Sequence, residues 1–318
     1  MAATGMHSKT LFVVCVIVLG AAAGAQQLQQ AVAYRQESMP PCMCPNQEAM
    51  EANRDGLAAH AERRLKEASE AYSDALRLVP PRETSAAELA LIRKFAPIVL
   101  TQPHEPFALK DVAAIIHFSE PWIAYHLFWD DDIDFPDDND PCDHEIIWLR
   151  LDAARTRVRS VYTYFHGRIL SSDEPVVGRP RVVSQWGKHG TMPLNWRRLF
   201  IQADSDDSER GRLQTDRAQS LEEYNLATWQ KLHNQGRNSQ ASPLAKTWPL
   251  RFEGSWQEFT NFSRPVDLEP RLRHNGGMTM VSYFNNAVIN RHFLRYNFAA
   301  KTEWPPELCD RPAVLGAP

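Results

Sequence analysis

The stretch VRSVYTYFHGRI, residues 158–169, alternates Val161, Thr163 and Phe165 against Tyr162, Tyr164 and His166. Successive side chains of an extended strand point to opposite faces, so the pattern predicts a half-buried strand. The same texture recurs in FAPIVL (95–100), PRVVSQW (180–186), MTMVSYF (278–284) and FLRYNF (293–298). These are short runs rich in β-branched and aromatic residues, separated by polar or Gly/Pro segments. Several such strands without intervening helices predict a mainly β chain, an antiparallel β-sandwich carrying an N-terminal helical segment and a helical insertion.

Working outward from these strands, residues 95–300 form the predicted β unit. A polar insertion spans 203–246, with one helix expected near Ser220–Leu232, and residues 301–318 are a tail. Ahead of the strands, residues 26–94 read as a polar segment and helices. Ala58, Ala61, Leu65, Ala68, Tyr72 and Ala75 recur at three- and four-residue spacing, which predicts a single helix ended by Pro80-Pro81. Ser85-x-x-Glu88 reads as a capping box opening a second helix that runs to about Lys94.

At the start, Lys9 precedes the apolar run Leu11–Leu19, and Ala23-Gly24-Ala25 follows. That order predicts a secretory signal over residues 1–25, and hence a secreted or periplasmic protein. The run is short for a membrane span, so no integral span is expected after the signal is removed; an uncleaved anchor is the competing reading. Cys15 would leave with the signal. Cys42, Cys44, Cys142 and Cys309 remain, an even set that suggests two disulfides in an oxidising compartment. A bridge between Cys42 and Cys44 is strained, which favours joining those two, in either order, to Cys142 and Cys309. A Cys/His metal site is the alternative. The 318 residues are 43% hydrophobic with a formal charge of -4. That charge argues against a general nucleic-acid binder, which needs a basic stripe.

The segment DFPDDNDPCDHEIIWLRLD, residues 134–152, crowds acids before an apolar run, with Asp130, Asp131 and Asp132 just upstream. Asp143 and Glu145 are two apart on a strand and share a face; His144 points to the other. Asp140 precedes Pro141 and can fold back over them. Clustered carboxylates repel and raise one another's pKa unless a cation intervenes. Asp140, Asp143, Glu145 and Asp132 are therefore the candidate ligands of a hard divalent cation, Ca²⁺ or Mg²⁺. The competing reading is a solvated acidic loop neutralised by Arg150, Arg168 or Arg181.

FAPIVLTQPHEPFALKDV (95–112) resembles the opening of Vps62-type domains, an aromatic-Ala-Pro strand and a His-Pro-Glu-Phe-like stretch leading to a helix. Those domains, and the related necrosis- and ethylene-inducing-like proteins, next carry a His-containing segment ending Asp-Trp-Glu. Asp143 and Glu145 match its Asp and Glu, Asp140 stands at its first His, and His144 at its Trp. WGKHGTMP (186–193) resembles a later Gly-Ser-His segment and places His189 on its His; FEGSW (252–256) resembles a Gly-x-Trp segment. The resemblance implies a β-sandwich with a divalent cation at an acidic strand end beside a His. In the necrosis-inducing relatives that pocket is associated with sphingolipid head groups.

His166 ends a predicted strand before Gly167 and could face the same cavity as His189; Lys188 and Trp186 are candidate ligand-binding residues beside it. No Gly-x-Ser-x-Gly elbow, His-Glu-x-x-His helix or phosphate loop occurs, so no serine-hydrolase, zincin or nucleotide-binding motif is present. Two function classes follow. The first is a cation-dependent module for a glycan or an anionic lipid head group. The second is a metal-assisted hydrolase with His189 or His166 as general acid or base.

Overall fold

Apolar and aromatic runs supply most of the strands here, and side-chain caps at Asn46, Ser85, Ser220 and Ser255 open four of the helices. The computed structural model describes residues 32–35, 46–80, 83–117, 120–133, 143–204, 214–236, 248–272, 277–279, 290–291, 294 and 305. The signal segment, Asp140 and all five cysteines lie outside them, as does most of MTMVSYF and FLRYNF. Among the described residues no helix is long and apolar enough to cross a membrane.

The chain is mainly β with helical segments, as its sequence predicts. Thirteen strands are described: β1 (Val32–Arg35), β2 (Ile98–Thr101), β3 (Leu109–Ile116), β4 (Trp122–Trp129), β5 (Asp143–Leu151), β6 (Val158–Phe165), β7 (Arg168–Ser172), β8 (Arg181–Ser184), β9 (Thr191–Pro193), β10 (Phe200–Asp204), β11 (Gln214–Ser220), β12 (Arg264–Asp267) and β13 (Gly277–Thr279). Nine form one sheet in the order β11-β10-β1-β7-β6-β5-β4-β3-β13, and four form a second, β12-β2-β8-β9. The run β7-β6-β5-β4-β3 is antiparallel throughout. Parallel pairs join β1 to β10, β13 to β3 and β2 to β8.

The opening stretch is two strands, not one. Phe165 pairs with Arg168 across a two-residue turn in which His166 and Gly167 both take positive φ, 47° and 79°. That is the backbone a tight hairpin requires to match strand twist. β4 escaped the alternation test because every one of its residues is buried, so WIAYHLFW reads as a continuous apolar run, and β3 is buried without a break from Val112 to Ile116. The helix that the family resemblance places after PHEPF is absent; Leu109–Ile116 is strand.

The helices are α1 (Gln47–Ala61), α2 (Leu65–Leu78), α3 (Ala86–Phe95), α4 (Leu221–Asn234) and the short α5 (Trp256–Phe259). Capping boxes open α3 at Ser85 and α4 at Ser220. The single helix expected over the alanine stripe is instead a hairpin of α1 and α2. The chain turns at Arg63, whose φ of 61° breaks the helix without any glycine or proline to announce it. Ala49, Ala59, Ala68, Tyr72 and Ala75 form its shared core. Gly56 lets the Tyr72 ring approach: a Cβ there would stand 2.6 Å from two ring carbons. Gly56→Ala should therefore lower stability by about 1–3 kcal/mol through overpacking, despite alanine's better helix propensity. Chemical denaturation measures this, and an unchanged midpoint would mean that the hairpin yields at no cost.

One apolar cluster joins Tyr125, Leu127 and Trp129 of β4 and Ile147 and Leu149 of β5 to Val99 of β2, Val182 of β8 and Ile92 and Phe95 of α3. A second joins Phe165 and Leu170 to Leu100, Val183, Met192, Leu221 and Tyr224. Both sheets contribute to each cluster. The polar 203–246 insertion does more than interrupt the strands: it supplies β11, and α4 buries Leu221 and Tyr224 in this core.

Candidate functional site

Three connections meet beyond the end of β4 and the start of β5: residues 102–108, 130–133 and 185–190. The last is a tight loop, with His189 N–H donating to Gln185 O at 3.0 Å and Gly190 N–H to Lys188 O at 2.8 Å. Gly187 and His189 take left-handed φ of 62° and 52°. At a histidine that conformation costs on the order of 1–2 kcal/mol, so other contacts must hold it. They are present. Gly187 N–H donates to Glu105 Oε2 at 2.9 Å, and Gly187 O accepts from Ile133 N–H at 2.7 Å.

His189 is fully buried. Its Nδ1 lies 2.9 Å from Asp143 Oδ2 and its Nε2 3.2 Å from Glu105 Oε1. Its ring stacks on Trp129 at 4.2 Å between centroids, and Phe107 meets it edge-on at 5.6 Å. With both nitrogens facing carboxylate oxygens, each must donate, and the ring is an imidazolium. Burial alone would lower its pKa. The charges and hydrogen bonds of Glu105 and Asp143 outweigh burial and push it up to about 10.

Asp132 is buried close by, its backbone N–H donating to Asp131 Oδ1 at 2.8 Å. Burial, and then the negative charge of Asp143, push its carboxyl up to about 8, while Lys188 and His189 act in the opposite sense. His189, Asp143, Asp132 and Lys188 are thus brought together. The positive charge among the acids is first of all His189. Arg168 is buried and donates to the carbonyls of His166 and Gln202, and Arg150 stands at the far end of β5.

Glu145 lies on the Asp143 face of β5, buried and opposite Leu127. His144 faces the other way, its Nε2 3.0 Å from His126 Nδ1 and its ring stacked on Phe128. His166 meets the loop at Gln185, with Nε2 2.7 Å from Gln185 Oε1. Trp186 is buried, its indole N–H donating to His104 O at 3.0 Å. It lines a cleft of about 290 Å³ with His104, Arg251 and Phe252. Asp140 and the cysteine pairings lie outside the described residues.

Glu105 is the residue that sequence reasoning did not assign. It stands inside the quoted PHEPF stretch, but its partner His189 is 84 positions away. No local spacing reveals such a contact.

The donor set fits a hard cation in type, being carboxylate oxygen, but not yet in number. Among the described residues no group of three or more His, Cys, Asp or Glu side chains is disposed to hold a metal ion. A cation here would draw on the carboxylates of Asp132 and Asp143. As a proton acceptor at neutral pH, His189 is already occupied. No protein-family model, curated protein or solved structure matches this chain, so its likeness to Vps62-type domains rests on the motif residues.

Proposed function

We propose that the chain is an exported, non-catalytic module that takes a divalent cation, Ca²⁺ or Mg²⁺, at Asp132 and Asp143. Asp140 would complete the site, and the bound ion would present a glycan or an anionic head group. The observation that carries this reading is the pair of carboxylates itself. Asp132 is buried and held near a pKa of about 8, with Asp143 as the main charge raising it. Asp143 is half-buried and already meets His189, and a divalent cation would turn the remaining repulsion between the two carboxylates into attraction. Lys188, whose charge acts on Asp132, would meet the anionic group of the ligand.

The hydrolase reading is weaker, because a buried imidazolium clamped between two carboxylates is a poor acid or base near neutral pH. Calorimetric titration of the mature chain with Ca²⁺ and with Mg²⁺ tests the proposal. Uptake is expected, and it should weaken at least about tenfold in Asp132→Asn, the loss of one charged ligand. Silence with both ions, or uptake unchanged in the variant, would overturn it.

A further inference from the structure

At the other end of β5 the chemistry reverses. Trp122 pairs with Arg150 and Arg150 with Ser160, which sets these three side chains in a row across β4, β5 and β6. Arg150 is seven residues from Asp143, so it lies on the opposite face, roughly 23 Å along the strand at about 3.3 Å per residue. Beside it the ladder slips. Arg150 is opposite Ser160 but Leu151 is opposite Val158, so Arg159 is the extra residue of a bulge. Bulges re-aim side chains, and Arg159 is exposed and lines the same groove as Arg150 and Arg155.

The groove encloses about 740 Å³. Its walls are fixed by backbone: Leu151 N–H donates to Pro121 O at 2.7 Å, and Arg155, at φ 55°, donates from Nη2 to Glu120 O at 3.3 Å. Three acids share the lining. Asp152 is already engaged, accepting from Thr156 N–H at 2.6 Å, from its hydroxyl at 2.8 Å and from Arg157 N–H at 3.2 Å. Glu120 and Asp173 complete the acidic lining, beside the guanidiniums of Arg150, Arg155 and Arg159. Among the described residues, neither the Arg150 nor the Arg159 guanidinium makes a hydrogen bond or ion pair.

We propose that this groove binds the phosphate of a phosphomonoester. Arg150 and Arg159 supply the planar forks that suit a tetrahedral oxyanion, and Ser160 supplies a hydroxyl. The volume exceeds that of a bare ion and admits an organic group of sugar size. The site shares no residue with the cation site, so either reading can fail alone.

The test uses the mature chain in chelator, titrated with glucose-6-phosphate, with glucose as the uncharged control. Vesicles of phosphatidylcholine, with and without phosphatidylinositol phosphate, form a second arm. Binding of the phosphate ester but not of glucose is expected, weakening with salt and falling about tenfold in Arg159→Gln and again in Arg150→Gln. Arg159 is exposed, so its variant keeps the test readable if Arg150→Gln unfolds. Binding of the soluble ester marks a metabolite-like ligand. Binding confined to phosphoinositide vesicles and lost in the variants marks a lipid head group. Absence of binding in both arms, or binding unchanged in the double variant, overturns the site.

Discussion

Replacing His189 with leucine is expected to destabilise the protein by about 3–5 kcal/mol, the usual cost of removing one partner from a buried ion pair. The size follows from what is left behind. Glu105 and Asp143 lose their shared cation in a pocket walled by Trp129 and Phe107, with Asp132 close by. Residue 189 also loses its side-chain contacts to Asp143 and Glu105, while leucine must still adopt φ 52°. The double variant His189→Leu/Glu105→Gln should recover part of the loss, because it removes one stranded charge, and a double-mutant cycle reads that coupling.

The same residue predicts an alkaline limit. His189 is raised from 6.5 to about 10 in the folded chain. Its contribution is therefore complete below pH 6.5 and is lost as pH rises through 10. Denaturation midpoints of the wild type should fall across that window, whereas His189→Leu should be flatter there. A wild type with constant stability from pH 7 to about 10 would show that the imidazolium is absent.

Local chemistry in the sequence was enough for the capped helices but not for the tight hairpin at His166-Gly167, which the alternation reads as part of one strand. Ser85 with Glu88 forms the expected box, and Leu221–Asn234 follows Ser220. The face assignment in β5 needed only the two-residue period, which separates His144 from Asp143 and Glu145. Three other things were not legible. β4 is buried on both faces and so carries no alternation. The turn at Arg63 rests on one residue's φ, with no turn residue to mark it. The partner of His189 depends on β2 and β8 pairing in parallel, which sets the 102–108 and 185–190 loops side by side at one sheet end. Register between distant strands is a property of the packed core, so a site built across two loops becomes visible only once the sheet has formed.

Asp132→Asn provides the second large effect, and its sign separates a ligand site from a structural one. Asp132 is raised from 3.8 to about 8 by burial and by Asp143. Its contribution to stability is complete below pH 3.8 and is lost as pH rises through 8. Above pH 8 the ion-free folded chain must hold a buried anion beside Asp143. Asparagine keeps the shape without that charge. In chelator the variant should be more stable than wild type at pH 8 to 9, by about 1–3 kcal/mol, with the difference shrinking as pH falls toward 4. Adding Ca²⁺ or Mg²⁺ should reverse the order, because the ion binds the folded wild type more tightly than the variant and stabilises it more. A carboxylate retained for packing would give the opposite result, with Asp132→Asn less stable in chelator and no crossover with either ion. Function and stability conflict at Asp132 in the cation reading and agree in the packing one, so a pair of melting curves, with and without the ion, decides between them.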